Sequence, residues 1–333
     1  MTSRERVWAA LEDRVSDRPP VSFWGHVYHR EGSATDLVDA TLDGWREYRW
    51  DWVKLNPRKH YQVEPWGVRY HYDGVPGEKP RLEAWPVHGP ADWARVTPQP
   101  PDTGALGEQI EAVRLLRRAL PADVPLIETV FTPLAVLGEM VEKPAELRAH
   151  MDSHPDLVRG ALEAVTDTFA PFVRELLRAG ADGIYLATVD WASAELLTPA
   201  GYRAWSRPWD ARVLAAAAGA PFNVLHVCKS RNLLFESSDY PVAAFSWAAT
   251  DPTNPTLRDA LARLGAAVMG GISQDGALQE AAPAAVLAEY RAALEQTGGR
   301  RWLVAPGCSI PPATPAGNLR ALREEVESTR LPP

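Results

Sequence analysis

The chain has 333 residues, 46% hydrophobic and 23% charged, with a formal net charge of −8. That balance excludes a disordered or fibrous chain, and an acidic chain without a basic block excludes a nucleic-acid backbone as partner. No run of 18 apolar residues occurs and the first thirty residues carry charges throughout. No membrane span and no secretory signal are therefore expected, and a cytoplasmic location follows as the default.

In chain order, short apolar runs occupy residues 21–24, 52–55, 126–130, 183–188, 222–226, 242–246, 266–270 and 302–305. Each is short and nearly continuous in its apolarity, as buried parallel strands are. Helical patterns lie between most of them. Residues 103–120 space Ile110, Val113, Leu116 and Leu120 on one face, and residues 155–178 run from Leu157 to Leu176 toward a capping Gly180. Thr198-Pro199, Asn254-Pro255 and Thr314-Pro315 read as N-caps followed by proline at the first helical position. Eight strands alternating with helices predict a (β/α)8 TIM-type barrel, one domain over 1–333. The competing open doubly wound sheet finds no Gly-x-Gly-x-x-Gly loop after the first strand. Residues 58–101, rich in Pro, Gly, Trp and Tyr, interrupt the rhythm and read as a hairpin excursion after the second strand, of a length typical of lids.

Barrel active sites gather at the C-terminal ends of the strands, and here those ends are polar. They carry His26, Lys54 and Asn56, Glu128 and Thr129, Asp190, His226 and Cys228, Ser246, Gln274 and Asp275, and Cys308. The pattern His226-x-Cys228 is the sharpest of these, because alternate residues at a strand end point the same way. Cys228 and Cys308 are the only cysteines, so no disulfide framework is available to them. One histidine and two thiolates suit zinc, and three protein ligands leave the open position of a catalytic site. Two thiolates and a neutral imidazole cancel the charge of Zn²⁺, so an added thiol can bind as thiolate and act as nucleophile.

Segments 130–134, 189–199, 207–209 and 306–315 resemble the uroporphyrinogen decarboxylase superfamily over nearly the whole chain. The run Pro306-Gly307-Cys308-Ser309-Ile310-Pro311-Pro312-Ala313-Thr314-Pro315 is the most specific of them, and it resembles the corrinoid-linked methyltransferase branch. The resemblance implies zinc held by His226, Cys228 and Cys308, and transfer of a methyl or alkyl group to a thiol. The true decarboxylases carry an arginine pair near the first strand that grips substrate carboxylates, and residues 22–30 here hold only Arg30. Two strand ends also depart from the branch. Residues 245–247 read Phe-Ser-Trp where relatives often place an acid, leaving nearby Asp251 as the only candidate carboxylate ligand. Residues 270–274 read Gly-Gly-Ile-Ser-Gln. Both departures point away from coenzyme M as the substrate.

The expectation is therefore a zinc-dependent methyl- or alkyltransferase acting on a small thiol. Its alkyl group comes from a corrinoid protein's methylcobalamin or from another alkyl carrier; no corrinoid-binding module is recognised in the chain, so any cobalamin is expected to arrive on a partner or free. His26 and Asp190 are the candidate catalytic residues, and Lys54, Asn56, Ser246 and Gln274 the candidate substrate contacts. His29, His60 and His71 are read as surface or satisfied loop histidines, and Asp190 has a helix cap as its alternative role. A decarboxylase-like lyase and a non-catalytic metal-binding accessory protein are the competing functions, and the chain is expected to be a monomer or homodimer.

Overall fold

The structure is a computed structural model that describes residues 1–332. Strand β1 (Val53–Leu55) opens the sheet, and β2 (Arg69–His71) and β3 (Arg81–Ala84) form a separate antiparallel hairpin. Then follow β4 (Leu126–Phe131), β5 (Gly183–Ala187), β6 (Val224–His226), β7 (Ala244–Ser246), β8 (Ala267–Ile272) and β9 (Trp302–Pro306). Apart from the hairpin, each strand pairs in parallel with the next in sequence, giving one curled sheet in the order β1-β4-β5-β6-β7-β8-β9. A strictly sequential order has no reversal point, which removes the doubly wound alternative.

The helices are α1 (Ser3–Leu11), α2 (Ala34–Tyr48), α3 (Gly104–Ala119), α4 (Pro133–Gly138), α5 (Pro144–Ser153), α6 (Pro155–Ala179), α7 (Pro199–Trp205), α8 (Arg207–Ala216), α9 (Leu257–Arg263), α10 (Ala284–Thr297) and α11 (Ala316–Ser328). Period-two alternation along the strands produces two cores. Ile127, Tyr185, Val224, Ala244, Met269 and Leu303 fill the inside of the curl over Val7 and Ala10 of α1, while Val130, Leu186, Phe245 and Val304 pack outward.

Residues 21–24 do not form a strand. Val21 and Gly25 make isolated parallel bridges to Val304 and Ile310, and the Asp51 amide donates to the Val21 carbonyl at 2.9 Å. The segment thus lies between β9 and β1 without a continuous ladder. Pro19 and Pro20, which have no N–H, stand where that ladder would begin. The excursion contains the expected hairpin, and its root is fixed: the Tyr61 hydroxyl donates to the Thr129 carbonyl at 2.7 Å, and His60 and Gln62 meet Glu139 at 3.0 and 2.8 Å.

Thr198 caps α7 as expected, accepting from the Gly201 amide, and Gly180 closes α6. Two caps shift. Thr256 caps α9, because the Asn254 side chain is spent across the loop on the carbonyls of Lys229 and Ala248. Thr314 donates to the Pro311 carbonyl, and α11 starts after Pro315. Among the described residues no helix is long and apolar enough to cross a membrane.

Candidate functional site

At the end of β6, His226 is buried, and two residues on Cys228 stands beside Cys308, which follows β9. Their ligand atoms all lie within 4.8 Å of one another. The Cys308 loop comes this close because residue 307 is glycine: a Cβ there would sit 2.7 Å from both the Ala248 Cα and the Gln274 Oε1. Ser246, at the end of the neighbouring β7, holds the His226 Nδ1 at 3.2 Å and meets the Tyr185 hydroxyl at 3.1 Å. Tyr185 stacks on the imidazole with centroids 5.0 Å apart. The ring is fixed from behind, while its Nε2 is buried with no hydrogen-bond partner.

A buried nitrogen left open beside two cysteine sulfurs is the donor set of a zinc site. Ser246 and Tyr185 supply the outer contacts that metal-binding histidines usually have. The neighbouring Cys308 thiol, with burial, pushes Cys228 up, while Cys228 and His226 beside it pull Cys308 down.

Lys54 of β1 is 5% exposed and donates to Asn56 Oδ1 at 2.7 Å. Its ammonium lies over the rings of Tyr185 and Trp24 at 4.7 and 5.3 Å, and among the described residues no carboxylate lies within ion-pair distance. Burial lowers its pKa to about 8, against the pull of Cys308, Glu128 and Cys228. Asn56 also accepts from the Ser309 hydroxyl at 3.3 Å, and its Nδ2 is buried and unpartnered. Glu128 is fully buried with both oxygens unpartnered, and burial pushes its carboxyl well up.

A cavity of about 400 Å³ opens beside these residues, lined by His26, Glu31, Lys54, Asn56 and four of the tryptophans of the N-terminal third, Trp24, Trp45, Trp50 and Trp52. Among the described residues no arginine lines it. Arg30 is turned away to Asp43 at 2.8 Å.

The structure thus brings His226, Cys228 and Cys308 together, and gathers His26, Lys54 and Asn56 around one cavity. Gln274 stands against the Gly307 turn with its Oε1 buried and open. Ser246, expected to touch substrate, is fully buried, with its hydroxyl spent on His226 and Tyr185. Asp190 caps no helix. It follows β5 in a turn and pairs with Lys229 at 2.9 Å, while the next helix has its own cap in Thr198. Asp251 is not in the cluster, because Ser230 and Thr253 occupy its oxygens. Of the other histidines, His29 is exposed, His60 pairs with Glu139 and His71 with Asp73. Sequence reasoning missed Glu31 and Tyr185. A strand-interior tyrosine and an acid in an irregular loop carry no spacing signal; only the fold puts them beside His26 and His226.

The uroporphyrinogen decarboxylase (URO-D) family profile matches residues 2–329. The chain belongs to the uroporphyrinogen decarboxylase family. It is 31% identical to a uroporphyrinogen decarboxylase of Mycolicibacterium paratuberculosis, covering 96% of this chain and 95% of that one. It is 25% identical to a methylcobamide:CoM methyltransferase of Methanosarcina barkeri, covering 75% of this chain and 71% of the relative. Among solved structures, a methyltransferase from Methanosarcina mazei superposes with a TM-score of 0.82 at 21% identity over 98% of both chains. A B12-independent methionine synthase from Shewanella sp. W3-18-1 does so at 0.61 and 14% identity, over 94% of this chain and 97% of that one. The two sequence relatives are thus a decarboxylase and a methyltransferase.

Proposed function

We propose that this family member is a zinc-dependent methyl- or alkyltransferase whose acceptor is a small thiol. Its alkyl donor is a corrinoid, methylcobalamin, delivered by a partner protein. On this reading the chain is a single (β/α)8 barrel domain, with residues 21–25 as the eighth stave. The observation that carries it is the buried, unpartnered His226 Nε2 facing Cys228 and Cys308.

His226, Cys228 and Cys308 would hold the metal. Bound there, zinc supplies a Lewis acid against which a thiol of pKa about 8.5 loses its proton near neutral pH. Ser246 and Tyr185 orient the imidazole. Lys54 and Asn56 offer donors to a polar substrate group from beside the site, and Gln274, after β8, offers an acceptor beside the Gly307 turn. His26 and Asp190 stand as the polar groups of the rim, His26 at the cavity and Asp190 fixing Lys229 next to Cys228. Trp24 and the neighbouring tryptophans exclude water from the apolar part of the substrate.

The test is metal analysis followed by zinc-edge X-ray absorption. About one zinc per chain is expected, and a substrate thiol should add a third sulfur at about 2.3 Å. A protein that takes up no zinc on reconstitution, or a thiol that turns over while the shell keeps two sulfurs, overturns the reading.

The second reading, a decarboxylase, is favoured by the 31% identity with the Mycolicibacterium enzyme. Against it stands a cavity in which, among the described residues, Lys54 is the one lysine or arginine, where a multi-carboxylate tetrapyrrole needs several charge partners. Incubation with uroporphyrinogen is expected to give no coproporphyrinogen, and product formation at enzyme-like rates reverses the choice.

A further inference from the structure

His26 is held in a way that the metal site does not require. Its Nδ1 lies 3.0 Å from both carboxylate oxygens of Glu31. Glu31 is itself only 4% exposed and locked, its Oε1 also accepting the Val27 amide at 2.8 Å. The imidazole stacks on Tyr28 with centroids 4.7 Å apart and planes 12° apart, which fixes the ring plane.

A carboxylate at Nδ1 accepts that nitrogen's proton, so the neutral ring carries N–H at Nδ1 and a lone pair at Nε2. No group among the described residues hydrogen-bonds Nε2. The ring lines the cavity with Lys54 and Asn56. The residue before it is tied to the loop of Cys308: Gly25 bridges to Ile310, whose amide donates to the Trp24 carbonyl at 2.9 Å. A Cβ at Gly25 would meet the Ile310 carbonyl oxygen at 2.7 Å, so only glycine allows this approach. An oriented base backed by a buried carboxylate, on a segment bridged to the loop of Cys308, is the arrangement of a general base.

We infer that His26 and Glu31 form a proton-accepting dyad for the acceptor thiol, an inference that rests on the thiol-transferase reading above. The S–H bond breaks, its proton passes to His26 Nε2, and the electron pair stays on sulfur for the incoming alkyl group. The Glu31 oxygens at Nδ1 face the imidazolium so formed, and the proton stays on the protein in place of passing to water. His26 is the catalytic residue and Glu31 a positioning residue. The other titratable groups at this cavity are Glu47, Tyr48 and Lys54; Tyr28 stacks on the ring, and Tyr72 lies near enough to Glu31 to feel its charge.

The experiment counts protons. Titration calorimetry of 2-mercaptoethanol and of mercaptoacetate into the zinc-loaded protein, at neutral pH in buffers of different ionisation enthalpy, gives the number of protons released on binding. The wild type is expected to release close to none, H26Q about one, and E31Q, which keeps the Val27 hydrogen bond, an intermediate fraction. Zinc content should be unchanged in both variants. Equal proton release in wild type and H26Q, with both binding the thiol, overturns the dyad and leaves the transferase reading standing. If neither thiol binds the zinc-loaded wild type, the dyad and that reading fall together.

Discussion

The two ends of the curled sheet treat buried charge in opposite ways. At the N-terminal end, Asp51 is fully buried and saturated. It receives Arg6 at 2.8 Å, Arg18 at 2.7 and 3.0 Å, the Val21 amide at 2.9 Å, and Arg323 at 3.5 Å. At the C-terminal end, Lys54 has no ion-pair partner among the described residues, and Glu128, Asn56, Gln274 and His226 each leave at least one atom buried and open. Leaving a buried polar group unpaired costs about 1–3 kcal/mol, more for a charge. A fold that satisfies one end and leaves the other in deficit has placed its stability in the first and its chemistry in the second.

The largest effect that sharpens this contrast is expected from C308S. Removing one of three ligands should weaken metal binding by more than about 100-fold, as dialysis and elemental analysis would measure. Far-UV circular dichroism and the apo-protein's unfolding midpoint should stay near wild type. D51A should do the reverse. Three arginines left without their common carboxylate are expected to cost about 3–5 kcal/mol in denaturant unfolding, while zinc stoichiometry in the protein that folds is retained. If D51A costs under about 1 kcal/mol, or C308S unfolds the chain, the division between the two ends fails.

K54M tests both halves in one protein. The pKa of Lys54 is lowered to about 8 from 10.5, with burial as its main cause. The charged amine therefore costs folding stability in full below about pH 8, and the cost disappears as pH rises from 8 toward 10.5. Methionine removes it, so K54M should be about 1–2 kcal/mol more stable than wild type at pH 7 and lose that advantage by pH 10.5. Activity should fall instead, with KM for an anionic thiol raised about 10- to 100-fold by loss of a charge-assisted hydrogen bond. A variant that is less stable at pH 7 would show that Lys54 belongs with the saturated end.

The sequence made the repeating strands legible because buried parallel strands are continuous apolar runs. It exposed the candidate metal-binding cluster because His226-x-Cys228 and Cys308 stand at the ends of two such runs. The hairpin showed through its turn residues. The pairing of His26 with Glu31 did not, since it runs through an irregular loop in which neither helical nor strand periodicity applies. Ser246 was legible as a strand-end residue but not in its contact, because only the register of β6 with β7, His226 opposite Ser246, puts its hydroxyl behind the imidazole. The N-cap at Thr256 was masked by the Asn254-Pro255 pair. Its asparagine is drawn off by carbonyls about 25 residues upstream and six upstream, which are contacts of the folded chain alone.

The smallest effect concerns a charge that belongs to neither end. Asp210 of α8 is fully buried, its Oδ2 accepting Ser206 and Tyr240, both at 2.9 Å, and its Oδ1 open. Burial raises its pKa to about 7 from 3.8, more than the hydrogen bonds from Ser206, Tyr240 and Tyr202 lower it. The folded state therefore binds a proton there that the unfolded state releases near pH 4. Stability contributed by the protonated form is complete below about pH 4 and is lost as pH rises to 7, beyond which the ionised carboxylate is carried at full cost. D210N keeps an acceptor for Ser206 and Tyr240 and puts an N–H₂ where Oδ1 is open, with no charge. Its unfolding free energy should exceed wild type by about 1 kcal/mol at pH 8, with the gain shrinking steadily toward pH 4. Denaturant titrations at four or five pH values read this directly. A gain that does not vary with pH would assign it to packing, and a loss at pH 8 would show that the carboxylate has a partner which earns its burial.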